Sequence, residues 1–199
     1  MAELRSVCVY CGSGAGTDPA FAEAARTLGR SLGEAGIGLV YGGGNVGLMG
    51  IVARAALDAG GHVTGIIPDF LKARERMLDD VQETIVVADM HTRKRLMFDR
   101  ADAFVALPGG IGTLEELVEQ LTWAQLGRHR KPILLLSVGG FWGPLVALLD
   151  HMRALGFIRP GLEAEYLVAE QPEEAVALLR RASAARPAGP AADLGVAKF

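Results

Sequence analysis

The chain has 199 residues, half of them hydrophobic, and a formal net charge of −3 at pH 7. This length is enough for a domain with its own hydrophobic core, so the fold needs neither disulfides nor metal ions to hold it together. The small negative charge argues against a nucleic-acid groove, which needs a concentrated basic surface. No apolar stretch approaches the roughly 18 residues of a membrane-spanning helix. The N-terminal sequence has no signal-peptide pattern, which predicts a cytoplasmic location.

Short apolar segments alternate with amphipathic segments along the chain. The apolar segments predict buried strands at residues 6–10, 37–41, 62–67, 84–88, 103–107, 132–138 and 166–169. Helices are predicted at residues 18–35, 89–101, 143–155 and 172–182. Two further helices are predicted, one that ends near residue 59 and one that begins near residue 113. This alternation predicts a single α/β domain over residues 1–183, with a doubly wound parallel sheet and helices on both faces.

Two stretches depart from the alternation. Residues 70–83 are charged and mixed in pattern, which is compatible with a mobile flap. Residues 184–199 are rich in alanine, proline and glycine, and this composition predicts a disordered tail.

Three of the predicted strands end in glycine-rich turns, at residues 11–16, 42–50 and 108–112. Ligands of parallel α/β sheets bind outside the carboxyl ends of the strands, so the three turns are expected to meet in one cleft. No turn shows the G-x-G-x-x-G pattern with an acidic residue about twenty positions later, so a dinucleotide is not the predicted ligand.

The turn within residues 107–116 joins a strand to a helix whose Leu114, Leu117 and Leu121 share one face. Backbone N–H groups at a glycine-rich helix N-terminus bind anions, phosphate above all. Thr113 and Glu116 also match a capping box, in which Thr113 caps the helix and Glu116 bonds back to it. Three glycines within four positions favour the phosphate site, but the spacing alone leaves the cap open.

The predicted helix 89–101 places Met90, Arg93, Lys94 and Met97 on one face. A planar guanidinium suits a phosphate or a sugar, and a methionine suits a flat base. The alternative is a solvated basic stripe above packed methionines.

The two cysteines, Cys8 and Cys11, form a C-x-x-C, but Cys8 falls inside a predicted strand rather than at a helix start. A zinc site needs a second pair of ligands at suitable spacing, and the four histidines are scattered. We therefore predict small core residues at these positions and no metal site.

The glycine turn and the residues after it resemble the P-G-G-x-G-T-x-x-E signature of the Lonely Guy (LOG) family. These are cytokinin riboside 5′-monophosphate phosphoribohydrolases, whose relatives are often mislabelled as lysine decarboxylases. Other segments are similar to family segments in the family's order, at residues 11–13, 41–50, 65–68, 90–94 and 122–127. The resemblance covers about residues 6–182 and implies a Rossmann-like fold. It is weakest at Gly14, where many relatives have serine, and over residues 69–83.

The resemblance implies hydrolysis of the N-glycosidic bond of N6-modified adenosine 5′-monophosphates, or of AMP, to free base and ribose 5-phosphate, which activates cytokinins. It implies no cofactor and no metal. It assigns Arg93 and Glu116 as the catalytic pair. The residues implied to bind the 5′-phosphate are Gly109, Gly110, Gly112 and Thr113. The residues implied to line the nucleotide site are Ser13, Gly43, Met90 and Lys94.

Two other functions suit the same fold. A non-catalytic carrier of a nucleotide or of the molybdenum cofactor needs the phosphate turn but not the pair of Arg93 and Glu116. A lysine decarboxylase needs a lysine that forms a Schiff base with pyridoxal phosphate, and only Lys94 lies near the predicted cleft. The phosphoribohydrolase is therefore the predicted function.

Trp123 bears on the oligomeric state. Helical spacing places it with Glu116, Glu119 and Gln120, on a face other than the leucine face. Such a tryptophan favours contact with a second copy, and the alternative is that it packs inside its own domain. The family forms homodimers, so the resemblance implies a homodimer at least.

Overall fold

The structure, a computed structural model, describes residues 3–72, 78 and 80–185. The strands are β1 (Ser6–Tyr10), β2 (Gly38–Tyr41), β3 (Val63–Pro68), β4 (Glu83–Val87), β5 (Ala103–Ala106), β6 (Ile133–Leu136) and β7 (Leu167–Ala169). The α-helices within these residues are α1 (Pro19–Glu34), α2 (Gly47–Asp58), α3 (Met90–Asp99), α4 (Ile111–Gln125), α5 (Gly143–Ala154) and α6 (Ala175–Ala184). None of these helices is both long and apolar enough to cross a membrane.

The strands form one parallel sheet in the order β4-β3-β2-β1-β5-β6-β7. The chain builds outward from β1 to β4, then returns to the centre and builds in the other direction from β5. Strands β1 and β5 are therefore neighbours at the point where the winding reverses. In such sheets the crevice at this point is the usual ligand site.

Each central strand is buried on both faces, which explains why its sequence is almost continuously apolar. Val7 and Val9 of β1 pack with α1, α2 and α6 on one face. Cys8 and Tyr10 alternate with them and pack with α3, α4 and α5 on the other face. The prediction of a doubly wound parallel sheet with helices on both faces is confirmed.

Most predicted boundaries differ from the observed ones by only a few residues. Pro68 was expected to stop β3, but it is the last residue of the strand and pairs with Val87. In the predicted flap, residues 69–71 form a 3-10 turn and Leu78 is buried, while residues 73–77 and 79 lie outside the described residues. Ala184 ends α6 rather than beginning a tail, and residues 186–199 lie outside the described residues.

Helices α1 and α2 approach each other closely through glycines. A Cβ atom on Gly29 would lie 2.3 Å from the carbonyl oxygen of Val52, and one on Gly33 would lie 2.7 Å from that of Ala56. These atoms belong to the backbone of α2, so a side chain could be accommodated only by moving the helices apart.

We expect Gly29→Ala to lower the free energy of unfolding by about 1–3 kcal/mol, the usual cost of overpacking, measured by urea denaturation. The matched control is Gly143→Ala at the start of α5, where a Cβ meets no atom within 4 Å. That variant should be as stable as the wild type or slightly more stable. Equal effects of the two substitutions would contradict the close packing.

Candidate active site

The three glycine turns meet at the carboxyl edge of the sheet, as predicted. The N–H of Gly12 donates to the carbonyl of Pro108 at 3.1 Å, and the N–H of Leu48 donates to the carbonyl of Gly12 at 3.1 Å. Gly47 has a φ of +59°, and a Cβ there would lie 2.3 Å from the carbonyl oxygen of Ser13. The turns after β1, β2 and β5 thus form one bonded unit, with the Ser13 side chain exposed at its surface.

The N-terminus of α4 opens onto this edge. Gly110 occupies the N-cap position, and no side chain caps the helix. Since Thr113 is the third residue of the helix, the capping-box interpretation is wrong. Thr113 is buried instead, and a Cβ on Gly109 would lie 2.1 Å from its hydroxyl oxygen. Gly110 and Gly112 are exposed, so the first turn is left accessible to an anion.

A cavity of about 280 Å³ lies beside the turns after β1 and β5. Its apolar wall includes Phe21 and Phe141, whose ring centroids are 5.8 Å apart in an edge-on arrangement. Neither residue could be identified from sequence patterns, because Phe141 follows a different strand and Phe21 is one of several apolar residues of α1.

Arg93 projects from α3, which begins after an N-cap, Asp89, whose carboxylate accepts from the N–H of Thr92 at 2.8 Å. The Arg93 Nε donates to the carbonyl of Ile66 at 3.0 Å and its Nη2 to that of Gly42 at 3.2 Å. The side chain is only 8% exposed, so the interpretation as a solvated stripe is wrong for Arg93.

Glu116 lies against this guanidinium, with its Oε1 3.7 Å from Nη1 of Arg93 and its side chain only 12% exposed. The pair joins α3 to α4 immediately below the glycine turns. Gly42 makes the arrangement possible, because a Cβ there would lie 2.1 Å from Nη2 of Arg93. The sequence placed Gly42 in a glycine-rich turn but gave no sign that it makes room for an arginine.

The remaining predicted site residues lie close by but differ in accessibility. The Sδ of Met90 lies 3.9 Å from Nη1 of Arg93. Gly43 is buried, with a φ of +84° and Ile67 packed against it, so its side of the backbone is closed to a side chain.

Lys94 is bound by two carboxylates of α4, at 2.5 Å from Glu115 and 2.9 Å from Glu119. Partial burial acts to lower the pKa of the ammonium group, but the hydrogen bonds and charges of the two glutamates outweigh it, and the pKa is raised. Lys94 therefore stays cationic. It forms a second bridge between α3 and α4 beside the buried pair.

Cys8 and Cys11 are free and buried, which confirms the prediction of core residues. Burial raises the pKa of both thiols, and the nearby negative charge of Glu116 raises it further. Among the described residues, no group of three or more His, Cys, Asp or Glu side chains could hold a metal ion.

Trp123 packs inside its own domain, which is the alternative that the sequence left open. Its ring lies edge-on to Phe98 at 5.0 Å, and the guanidinium of Arg128 lies 4.6 Å from its centroid. Gln120, on the same face of α4, is fully buried. This face therefore packs largely on α3 and the core, and Trp123 itself remains partly exposed.

The fold and the site define a Rossmann-like α/β protein with an exposed, glycine-rich helix N-terminus and a buried arginine–glutamate pair at the carboxyl edge of the sheet. A family model described as "possible lysine decarboxylase" matches residues 49–179. The chain is 52% identical over 157 residues to the cytokinin riboside 5′-monophosphate phosphoribohydrolase LOG7 of Arabidopsis thaliana, covering 79% of this chain and 72% of that protein.

It is also 47% identical over 180 residues to LOGL2 of Oryza sativa subsp. japonica, which is named as a probable cytokinin riboside 5′-monophosphate phosphoribohydrolase. This match covers 90% of this chain and 74% of the relative. The molybdenum cofactor carrier protein of Chlamydomonas reinhardtii has the same fold, with a TM-score of 0.68 over 92% of this chain and 99% of that one, at 23% identity. The chain belongs to the LOG family.

The burial of the Cys8 and Cys11 thiols can be tested chemically. Both thiols remain protonated at pH 8 because their pKa values are raised, and burial shields them from reagents. We expect the folded protein to resist a thiol-specific disulfide reagent at this pH, while the protein unfolded in guanidinium chloride reacts at both cysteines. Rapid modification of the folded protein would contradict the buried arrangement.

Proposed function

We propose that this chain hydrolyses the N-glycosidic bond of cytokinin riboside 5′-monophosphates, releasing the free base and ribose 5-phosphate. The observation that carries the proposal is the buried pair of Arg93 and Glu116, 3.7 Å apart, directly below the exposed glycine turn of α4. The names of relatives about half identical to the chain support the same activity.

The phosphate end of the substrate lies at the first turn of α4. The backbone N–H groups of Gly109, Gly110, Gly112 and Thr113 surround the start of α4, where they add to the positive end of the helix dipole. Ser13 offers a hydroxyl from the facing turn. This binding energy is remote from the scissile bond, so it can be used to orient the ribose for attack.

The carboxylate of Glu116 acts on the ribose. Cleavage of an N-glycosidic bond builds positive charge on C1′ and the ring oxygen, as in glycoside hydrolysis. Glu116 stabilises this charge and takes a proton from the attacking water, whose oxygen bonds to C1′ as the bond from C1′ to the base nitrogen breaks. The departing base takes up a proton from solvent. Arg93 favours the ionised form of Glu116 through its opposite charge.

Arg93 needs no reorganisation during the reaction, because the carbonyls of Gly42 and Ile66 already fix its orientation. Met90 offers a polarisable thioether to a flat base. Lys94 and Gly43 complete the nucleotide site, Lys94 by bridging α3 to α4 and Gly43 by a left-handed turn that leaves no room for a side chain.

The decarboxylase interpretation suits the lysines poorly. A Schiff-base lysine needs a neutral amine, which proteins obtain by lowering the pKa. The pKa of Lys94 is raised by its two glutamates. Burial does lower the pKa of Lys131, but its ammonium lies over the ring of Phe98 at 3.9 Å, away from the cleft, and Lys72 pairs with Asp69 at 2.8 Å. Lys198 lies outside the described residues.

We expect Glu116→Gln to lower the rate of base release from isopentenyladenosine 5′-monophosphate by about 10²–10⁴-fold, the usual contribution of a general base. The matched control is Glu115→Gln, which removes the neighbouring carboxylate, half exposed and paired with Lys94. It should retain most of the activity. Chromatography of the free base measures both, and equal losses in the two variants would contradict the assignment.

The same assay with AMP in parallel separates the enzyme from a carrier. The ratio of the two rates shows whether an N6-prenyl group is preferred. If neither nucleotide releases base while both bind, the enzyme proposal fails and the non-catalytic carrier replaces it.

We also propose that the chain forms a homodimer through the outer face of α4 and α5. The apolar side chains exposed there include Val118 at 42%, Leu148 at 48%, Leu155 at 60% and Phe157 at 81%. A groove of about 190 Å³ runs between the two helices. Exposed apolar side chains grouped beside a groove are typical of interaction sites, and a twofold contact would cover them with the same face of a second copy.

Replacing both Leu148 and Leu155 by glutamate should convert the dimer to monomer in sedimentation equilibrium, because each copy would place like charges in the contact. Phe70→Glu is the control, since Phe70 is 59% exposed but lies on the 3-10 turn after β3. A wild-type monomer, or a dimer unaffected by the double substitution, would contradict this face.

A further inference from the structure

A second and larger cavity, of about 640 Å³, lies in the groove between α1 and α2. These helices cover the face of the sheet opposite to Arg93 and Glu116, so the groove lies across the sheet from that pair and meets the glycine turns at its loop end. Its volume falls within the usual range for small-molecule sites, about 300–1,000 Å³. Neither the catalytic proposal nor the dimer face accounts for it.

Three arginines from two helices line the groove. Arg26 and Arg30 lie one turn apart on the same side of α1, and Arg54 faces them from α2. Arg54 Nη2 donates to Asn45 Oδ1 at 3.1 Å, which holds its guanidinium at the loop end of the groove. Within the described part of the chain, Arg26 pairs with Glu23 alone, and both side chains are more than half exposed, so this ion pair is weak.

Positive and negative side chains lie at different ends of the groove. The arginines occupy the middle turns of the helices, whereas Glu34 and Asp58 line the cavity from the last residues of α1 and α2. Guanidinium groups bind phosphate through charge-assisted hydrogen bonds. Carboxylates accept hydrogen bonds from hydroxyl or amino groups and repel a second anion, so the far end disfavours an extended polyanion.

We propose that the groove between α1 and α2 is a second binding site, for a small phosphate ester that carries hydroxyl or amino groups. The phosphate lies among Arg26, Arg30 and Arg54, and the polar remainder extends towards Glu34 and Asp58. A sugar phosphate has this chemistry.

The experiment measures binding of ribose 5-phosphate by calorimetry in a Gly112→Asp background. A Cβ on Gly112 meets no atom within 4 Å, and an acidic residue is favoured in the first turn of a helix, so the variant should fold. Its carboxylate occupies the proposed catalytic phosphate position and repels ligand there. The binding experiment tests the groove and the base-release assay tests Glu116, so a failure of the catalytic assignment is detected separately from a failure of this proposal.

In this background we expect saturable binding of ribose 5-phosphate and a loss of affinity of at least about tenfold when Arg30→Gln and Arg54→Gln are combined. The matched control combines Arg5→Gln with Arg181→Gln, the same change in charge at two exposed arginines outside the groove, and should bind as before. Thermal melts establish that both are folded. Absence of saturable binding, an unchanged affinity in the groove variant, or an equal loss in the control would overturn the proposal.

Discussion

The site depends on how one buried guanidinium is held. A charge removed from water is costly unless it is paired and hydrogen-bonded. Arg93 meets this requirement with the carbonyls of Ile66 and Gly42 and with the carboxylate of Glu116. The two carbonyls lie at the ends of neighbouring strands, so the parallel order of β2 and β3 fixes the position of the arginine. The lack of a side chain at residue 42 leaves room for it, and the cap at Asp89 sets where α3 begins.

The topology of the sheet fixes the distance between the proposed phosphate-binding turn and the carboxylate of Glu116. Because β1 and β5 are neighbours at the reversal of the sheet, their turns bond to each other and present the first turn of α4 to the cleft. Gly112 and Glu116 then lie one helical turn apart, about 6 Å along the axis. This is the scale of a ribose with its 5′-carbon. A single rigid helix thus sets the distance between phosphate and carboxylate, while α3 supplies the arginine from the side.

Sequence patterns predicted the strands, a core on both faces of the sheet and the meeting of the glycine turns. These features could be predicted because burial and turn formation depend on residues close together in the sequence. The partners of Arg93 could not, since backbone carbonyls carry no residue type and the contacts span 27 and 51 positions. Thr113 matched a capping box, yet the helix begins two residues earlier, at Ile111, and buries it. The packing of Trp123 on Phe98 could not be predicted, since helical spacing does not show which part of α4 lies against α3.

The most direct test moves the guanidinium without changing any charged group. Gly42→Ala places a methyl group 2.1 Å from the present position of Nη2 of Arg93, whereas Gly14→Ala adds one in the same cleft with no atom within 4 Å. With both variants shown to be folded, the turnover of isopentenyladenosine 5′-monophosphate should fall by about 10²-fold in the first and stay near wild type in the second. A Gly42→Ala enzyme with wild-type kcat would contradict the role given to the fixed arginine.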